Sequence, residues 1–146
     1  MNTMLRKIIV VLITAYLLLL LYWMFWGFGR SSHRLEEYTY NLIPFHTMKQ
    51  YLNVNDFNLR ASAINLLGNI GVFIPFGLAV PMIVRVSWGR FIAGFIFALF
   101  LLELVQMLSL RGTFDVDDVI LNTAGAAIGY GICQAGQTKW VRERRQ

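Results

Sequence analysis

The 146-residue sequence contains one cysteine and few charged residues, and each shortage excludes a class of protein. A single cysteine, Cys133, cannot build an intrachain disulfide framework or a cysteine-rich metal site. Charged residues make up 14% of the chain and hydrophobic residues 57%, which is unlike a soluble domain. The chain has no Gly-x-Ser-x-Gly, no His-Glu-x-x-His and no phosphate-binding glycine loop, so its catalytic residues, if it has any, are not identified by a motif.

Long apolar runs predict an integral membrane protein. A helix of roughly 20 residues crosses a bilayer core of about 30 Å, and the period-two alternation of barrel strands is absent. The predicted fold is therefore an all-α membrane protein, a single domain with a bundle of about four transmembrane helices. The four spans cover residues 8–28, 61–84, 91–110 and 118–135. The first span is too long for a signal peptide and no small-x-small cleavage site follows it, which predicts an uncleaved anchor.

Basic residues predict the orientation, because Lys and Arg are retained on the cytoplasmic side. They cluster before the first span, between the second and third spans, and in the tail 136–146: Arg6, Lys7, Arg85, Arg90, Lys139, Arg142, Arg144 and Arg145. The prediction is an N-in, C-in topology with an outer loop at 29–60 and a cytoplasmic tail. Orientation and attraction to anionic inner-leaflet lipid explain the net charge of +5. No basic face with interleaved aromatics favours nucleic-acid binding.

Polar side chains interrupt three of the spans at a similar depth. At about 1.5 Å per helical residue, they all lie in the outer layer of the bilayer. They are Asn65 and Asn69 on the second span, Glu103 and Gln106 on the third, and Asn122 on the fourth. Because a charged side chain at the centre of a span costs about 2.5 to 3.5 kcal/mol, we expect these groups to face one another or a wet cavity.

Helical periodicity places a polar stripe on the fourth span, with Asp117 pointing elsewhere. The stripe comprises Asp115, Asp118, Asn122, Gly125 and Gly129. The Gly-x-x-x-Gly spacing lets another helix, from this chain or a second one, approach closely. Structural roles remain alternatives: Asp115 as a helix N-cap with two aspartates in the first turn, and the asparagines as interhelical hydrogen bonds of roughly 0.6 kcal/mol each.

Three segments together resemble the VanZ-like family. They are Asn41-Leu-Ile-Pro-Phe45, then Asn65-Leu-Leu-Gly-Asn69 continuing to Pro75-Phe-Gly77, then Glu103-x-x-Gln106 followed by Arg111 and Phe114-Asp-Val-Asp-Asp118-Val-Ile-Leu-Asn122-Thr-Ala-Gly125. The likeness runs from about Asn41 to Tyr130. It implies a multi-pass protein of the bacterial cytoplasmic (inner) membrane, in a family whose namesake lowers susceptibility to the glycopeptide antibiotic teicoplanin.

The leading functional hypothesis is a ligand site at the outer leaflet between the second, third and fourth spans. Its candidate residues are Asn65, Asn69, Glu103, Gln106, Arg111, Asp115, Asp118 and Asn122. The carboxylates would attract a cation, the arginine a phosphate or carboxylate, and the amides would orient the ligand. Partners are then membrane lipids, with a glycopeptide antibiotic or a lipid-linked wall precursor as the amphiphile, and no cofactor or metal is expected.

Two other classes of function stay open. The same carboxylates could hold Mg²⁺ or Mn²⁺ and promote transfer or hydrolysis on a lipid-linked phosphate, although no nucleophile motif supports an enzyme. Alternatively, the polar layer only locks the helices of a scaffold or accessory protein together.

Overall fold

The computed structural model describes residues 2–27, 35–52 and 59–143, with the side chains of 2–27, 35–50 and 66–137. In these residues the elements are, in order, α1 (Thr3–Phe25), β1 (Tyr40–Asn41), α2 (His46–Leu52), α3 (Leu59–Ile83), α4 (Trp88–Leu108), β2 (Phe114–Asp115) and α5 (Val116–Glu143). Each of the four long helices overlaps one predicted span. The last of them, α5, continues well beyond the predicted span at 118–135.

Three helices of the described part are long and apolar enough to cross a membrane. They are α1, the stretch Leu66–Ile83 of α3, and α4. Large apolar side chains on α1 are turned away from the protein, among them Val11 at 66% exposed and Leu18 at 62%. Such exposure is costly in water and favourable in lipid, so the chain is a membrane protein. A fourth crossing by α5 stays a prediction.

The long helices alternate in direction along the bundle. Gln106 Nε2 on α4 donates to the carbonyl oxygen of Met24 on α1 at 2.9 Å. Asn69 Nδ2 on α3 donates to Asp118 Oδ1 on α5 at 2.8 Å. These side chains lie toward the C-terminal ends of α1 and α4 and in the N-terminal halves of α3 and α5. All four helices therefore meet at one end of the bundle, which we call the polar end.

Glycines bring α3 and α5 into backbone contact. A Cβ built on Gly125 would lie 2.0 Å from the carbonyl oxygen of Ile70, and one on Gly129 would lie 2.1 Å from that of Ile74. On the facing helix, a Cβ on Gly77 would lie 2.0 Å from the carbonyl oxygen of Ala126. The Gly-x-x-x-Gly pair thus serves an intramolecular contact, and α3 contributes a glycine of its own to it.

Aromatic side chains fill the bundle away from the polar end. The rings of Phe91 and Tyr130 stack with centroids 5.1 Å apart, and Trp88 meets Tyr130 edge-on at 5.1 Å. The Tyr130 hydroxyl donates to the carbonyl oxygen of Val86 at 2.8 Å, so this buried ring keeps its polar atom paired.

The polar end also contains a parallel strand pair, β1 and β2, which the all-helical prediction did not include. Tyr40 pairs with Phe114 and Asn41 with Asp115. The turn before β2 includes Leu110 at φ 59°, a left-handed residue two positions past the end of α4. There the amide of Arg111 donates to the Gln106 carbonyl oxygen at 3.0 Å and that of Leu110 to Met107 at 2.9 Å. This 6→1 and 5→2 pattern is a Schellman motif, and it directs the chain into β2.

Candidate functional site

A cavity of about 200 Å³ lies between α1, α3, α4 and α5 at the polar end. Of the described residues that line it, five are polar: Asn69, Glu103, Gln106, Asp118 and Asn122. The others are apolar or aromatic: Leu20, Trp23, Met24, Val72 and Phe73. The cavity therefore gathers five of the eight predicted ligand-binding residues. The side chain of a sixth, Asn65, falls outside the described side chains.

Glu103 is the most deeply buried carboxylate of the cavity, with 3% of its surface exposed. Its Oε2 accepts a hydrogen bond from the backbone amide of Asp115 at 3.4 Å. That contact joins α4 to β2, just before α5 begins. A carboxylate in such surroundings has lost most of its water, so it depends on partners that supply a positive charge or a hydrogen-bond donor.

Asp118 forms the second carboxylate of the cavity. Asn69 Nδ2 donates to its Oδ1 at 2.8 Å, so the amide orients the carboxylate from the opposite helix. Asn69 directly precedes Ile70 of the glycine contact, and Asp118 lies about two helical turns before Gly125 on α5. The close backbone approach therefore sets the distance across which this hydrogen bond forms.

Asn122 lies one helical turn below Asp118 and lines the same cavity. It is 5% exposed, and its Oδ1 is buried without a hydrogen-bond partner among the described residues. A buried acceptor left unpaired costs about 1 to 3 kcal/mol. Natural proteins keep few such atoms, so one beside a cavity marks a place where a donor from outside the chain would be stabilised.

The structure places Arg111 outside the cavity, at the end of α1. Its Nη1 donates to the carbonyl oxygen of Phe25. Its guanidinium also lies 5.0 Å from the ring centroid of Trp26. A cation at a helix C-terminus satisfies carbonyls that have no partner within the helix and offsets the negative end of the dipole. Arg111 and Gln106 therefore hold the end of α1, and with it one wall of the cavity.

Asp115 also lies outside the cavity lining. It belongs to β2 and not to the helix, so the helical stripe does not extend to it. Its Oδ1 accepts from Asn41 Nδ2 at 3.0 Å and its Oδ2 accepts from Thr47 Oγ1 at 2.6 Å. Its Oδ1 also accepts from the amide of Asp117 at 2.8 Å. These bonds fasten the chain around β1 to the start of α5.

Asp117, which was not among the predicted ligand-binding residues, caps the short helix α2 from the start of α5. It is 1% exposed. Its Oδ1 accepts from the amide of Phe45 and its Oδ2 from the amide of Met48 at 3.1 Å. Phe45 itself has φ 65°, a costly conformation for a residue with a side chain. We call residues 41–48 the strap, because the bonds to Asp115 and Asp117 hold this segment across the polar end.

Sequence reasoning missed Thr47 and Asp117 as parts of this end of the molecule. The motif containing Asn41 and Phe45 was noted but had no assigned role. Within the described residues, no three His, Cys, Asp or Glu side chains are grouped so that they could hold a metal ion. Two of these carboxylates, Glu103 and Asp118, line the cavity. The other two, Asp115 and Asp117, accept the hydrogen bonds that hold the strap.

The comparisons with known proteins agree with the resemblance seen in the motifs. The VanZ/LLP1 family model matches residues 10–137. Protein VanZ of Enterococcus faecium is 31% identical over 105 residues, which cover 67% of this chain and 64% of that protein. The chain thus spans a little under two thirds of that relative's length. No solved structure matches the chain at a significant level. Since the family match includes α3, α4 and the cavity residues of α5, the chain belongs to the VanZ/LLP1 family.

Proposed function

We propose that this protein binds the charged head of an amphiphile in the cavity, at the outer leaflet of the bacterial cytoplasmic membrane. The amphiphile is an envelope lipid, a lipid-linked wall precursor or a glycopeptide of the teicoplanin type, and binding lowers susceptibility to that antibiotic. The observation that carries the proposal is the cavity itself, which is lined by two carboxylates from α4 and α5 and by Asn122, whose buried amide oxygen has no partner among the described residues. Relatedness to Protein VanZ supports the antibiotic as one ligand.

The size of the cavity favours a head group over a whole molecule. Pockets that enclose a drug-sized ligand measure about 300 to 1,000 Å³, whereas this cavity measures about 200 Å³. A larger amphiphile would place only its polar head between the helices. Its acyl chain would lie along the exposed apolar faces of α1 and α4, in lipid.

The proposed topology has four crossings, with both termini in the cytoplasm. At about 1.5 Å per residue, the 28 residues of α5 are long enough to cross. Its polar side chains Asp118 and Asn122 line the cavity between the helices, which removes the main cost of placing them in a bilayer. The basic residues before α1 and between α3 and α4 both lie at the end opposite the polar end. The positive-inside rule then directs the polar end outward.

Asp118→Asn tests this function. It keeps the size of the side chain and removes its charge, so we expect protection against teicoplanin to be lost while the amount of protein in the membrane stays unchanged. The measurement is the inhibitory concentration of teicoplanin in cells that express each variant from the same promoter. Glu37→Gln is the matched control, because it removes one charge from an exposed carboxylate.

Protection that survives Asp118→Asn at the wild-type level would contradict the proposal. A second variant tests the scaffold hypothesis. If Asn122→Ala lowers the yield of folded protein and the protection in parallel, that hypothesis is supported. Ligand binding instead predicts that Asn122→Ala weakens protection at an unchanged yield.

A further inference from the structure

The strap turns its polar side chains toward the protein and its apolar side chains away from it. Asn41 Nδ2 and Thr47 Oγ1 donate to the carboxylate of Asp115. Four large side chains in and next to the strap are between 51% and 67% exposed: Tyr40, Leu42, Ile43 and Phe45. No Asp, Glu, Lys or Arg occurs from residue 38 to residue 48. An uncharged, contiguous apolar patch of this kind marks an interaction surface.

The backbone at the tip of the strap is already paired within the protein. The amide of Ile43 donates to Asn41 Oδ1 at 3.1 Å, and that of His46 to the carbonyl oxygen of Ile43 at 3.3 Å. The amide of Phe45 donates to Asp117 Oδ1, and the proline before it has no N–H to pair. Each backbone donor from Ile43 to His46 therefore has a partner, which lowers the cost of moving this tip out of water.

Two contacts between β2 and α4 indicate the depth of this part of the molecule. The amide of Asp115 donates to Glu103 Oε2 at 3.4 Å. The ring of Phe114 meets that of Phe100 with centroids 5.3 Å apart. These two partners lie five and eight residues before the end of α4 at Leu108, which is roughly 7 and 12 Å at about 1.5 Å per residue. The strand β2 therefore lies beside the last turns of α4 and not beyond its end.

The strand pairing brings the strap to a similar depth. β1 runs parallel to β2, with Tyr40 opposite Phe114. Since β2 leads into α5, which runs from the polar end into the bundle, the chain that leaves β1 is also directed inward. The bond from the Phe45 amide to Asp117 then holds the tip beside the first turn of α5. This is the course of a re-entrant segment.

The surroundings at this depth are lipid. The 21 residues of α4 span roughly 31 Å, about the thickness of a hydrocarbon core. The end of α4 therefore lies near the boundary between acyl chains and head groups. Phe100, which the ring of Phe114 contacts, is exposed on α4 together with Phe97 and Leu101. The apolar surface of the strap thus adjoins the lipid-facing surface of α4.

We propose that the strap is a re-entrant membrane anchor, whose tip at residues 42–45 inserts its side chains among the acyl chains of the leaflet at the polar end. The inference is independent of the proposed function, because it needs no ligand in the cavity. It also has a consequence for the cavity. The strap is bonded to Asp115, whose amide is bonded to Glu103 of the lining, so the anchor fixes the position of the cavity relative to the bilayer.

A carbene precursor that partitions into lipid tests the insertion in the unmodified protein. The full-length chain is placed in nanodiscs of phosphatidylethanolamine and phosphatidylglycerol, a trifluoromethyl phenyl diazirine is photolysed, and the labelled residues are located by mass spectrometry. We expect adducts at residues 42–45 at a level similar to that at Phe97, which is exposed on α4. We expect only background labelling at Glu37, an exposed carboxylate that precedes the strap.

A spin label measures the depth of the tip independently. Ile43→Cys in a Cys133→Ala background carries one nitroxide, and power saturation compares its collisions with O₂, which concentrates in lipid, and with a water-soluble nickel complex. Phe97→Cys and Glu37→Cys in the same background are the matched controls for lipid and for water. We expect oxygen collisions to exceed nickel collisions at residues 43 and 97, and the reverse at residue 37.

Two results would overturn the proposal. The first is contact with water, seen as nickel collisions that dominate at residue 43 or as background labelling at residues 42–45 in the wild-type chain. The second is coverage by another copy of the chain. It would be seen as few collisions with either reagent and as dipolar broadening that disappears when the labelled protein is diluted with unlabelled protein. The carbene measurement needs no variant, so it decides the question even if a cysteine variant does not accumulate.

Discussion

Gly125→Leu is expected to prevent the chain from accumulating as a folded protein. The new Cβ would lie 2.0 Å from the Ile70 carbonyl oxygen, 2.8 Å from its carbon and 3.1 Å from the Ile70 Cα. These are backbone atoms inside a helix, so they cannot yield as the end of a flexible side chain would. Overpacking a single core position costs about 1 to 3 kcal/mol, and here α3 and α5 must separate along their length. The measurement is the yield of monodisperse protein from membranes by fluorescence size-exclusion chromatography.

Gly131→Leu is the matched control for this prediction. It lies on α5, where a Cβ would have no atom within 4 Å, so the same substitution adds an exposed side chain only. We expect it to give the wild-type yield. A Gly125→Leu protein with the yield and thermal midpoint of the control would show that α3 and α5 do not approach as described.

Asp117→Ala is expected to loosen residues 45–48 of the strap at the start of α5. The change removes the acceptor of two backbone amides, those of Phe45 and Met48. Each of the two amides loses a hydrogen bond to a charged group, which contributes about 1.5 to 3 kcal/mol, and the left-handed conformation of Phe45 loses a bond that stabilises it. The amides of Phe45 and Met48 should therefore gain hydrogen bonds to water, while Asn41 and Thr47 keep their bonds to Asp115. Hydrogen–deuterium exchange should become about tenfold faster or more at the amides of residues 45–48.

Two further variants separate the cap from a general loss of charge. Asp117→Asn keeps one acceptor oxygen, so its exchange should fall between those of the wild type and Asp117→Ala. Glu37→Ala removes an exposed carboxylate nearby in sequence and should leave exchange at residues 45–48 unchanged. Equal protection of the strap in all four proteins would contradict the capping role of Asp117.

The features that could be predicted from the sequence are those that depend only on the residue pattern within one helix. The length of the apolar runs predicted the long helices. The depth and helix face of each polar residue predicted that Asn69, Glu103 and Gln106 lie near Asp118 and Asn122. The spacing of Gly125 and Gly129 indicated a close helix contact. These predictions rest on the 3.6-residue period and on the cost of polar groups in lipid, which depend little on tertiary detail.

What the sequence did not show depends on backbone atoms and on pairing over long distances. Asp117 accepts hydrogen bonds from backbone amides some 70 residues earlier in the chain. Because the donors are backbone groups, no pattern of side chains in the sequence indicates them. The carbonyl oxygens of Met24 and Phe25 accept from Gln106 and Arg111 in the same way. Strands of two residues are too short to show periodicity. The helical stripe was therefore extended to Asp115, which lies in β2 and, as the structural alternative predicted, caps the start of α5; the wall formed by α1 was missed.

A structure of the protein taken from native membrane with its lipids is the most direct test of the central claim, that the polar cavity is a ligand site. We expect density for a small head group between Glu103, Asp118 and Asn122, with its chain leaving toward the lipid. An empty cavity, in which the Asn122 amide oxygen and both carboxylates are bonded only to groups of the protein, would contradict it.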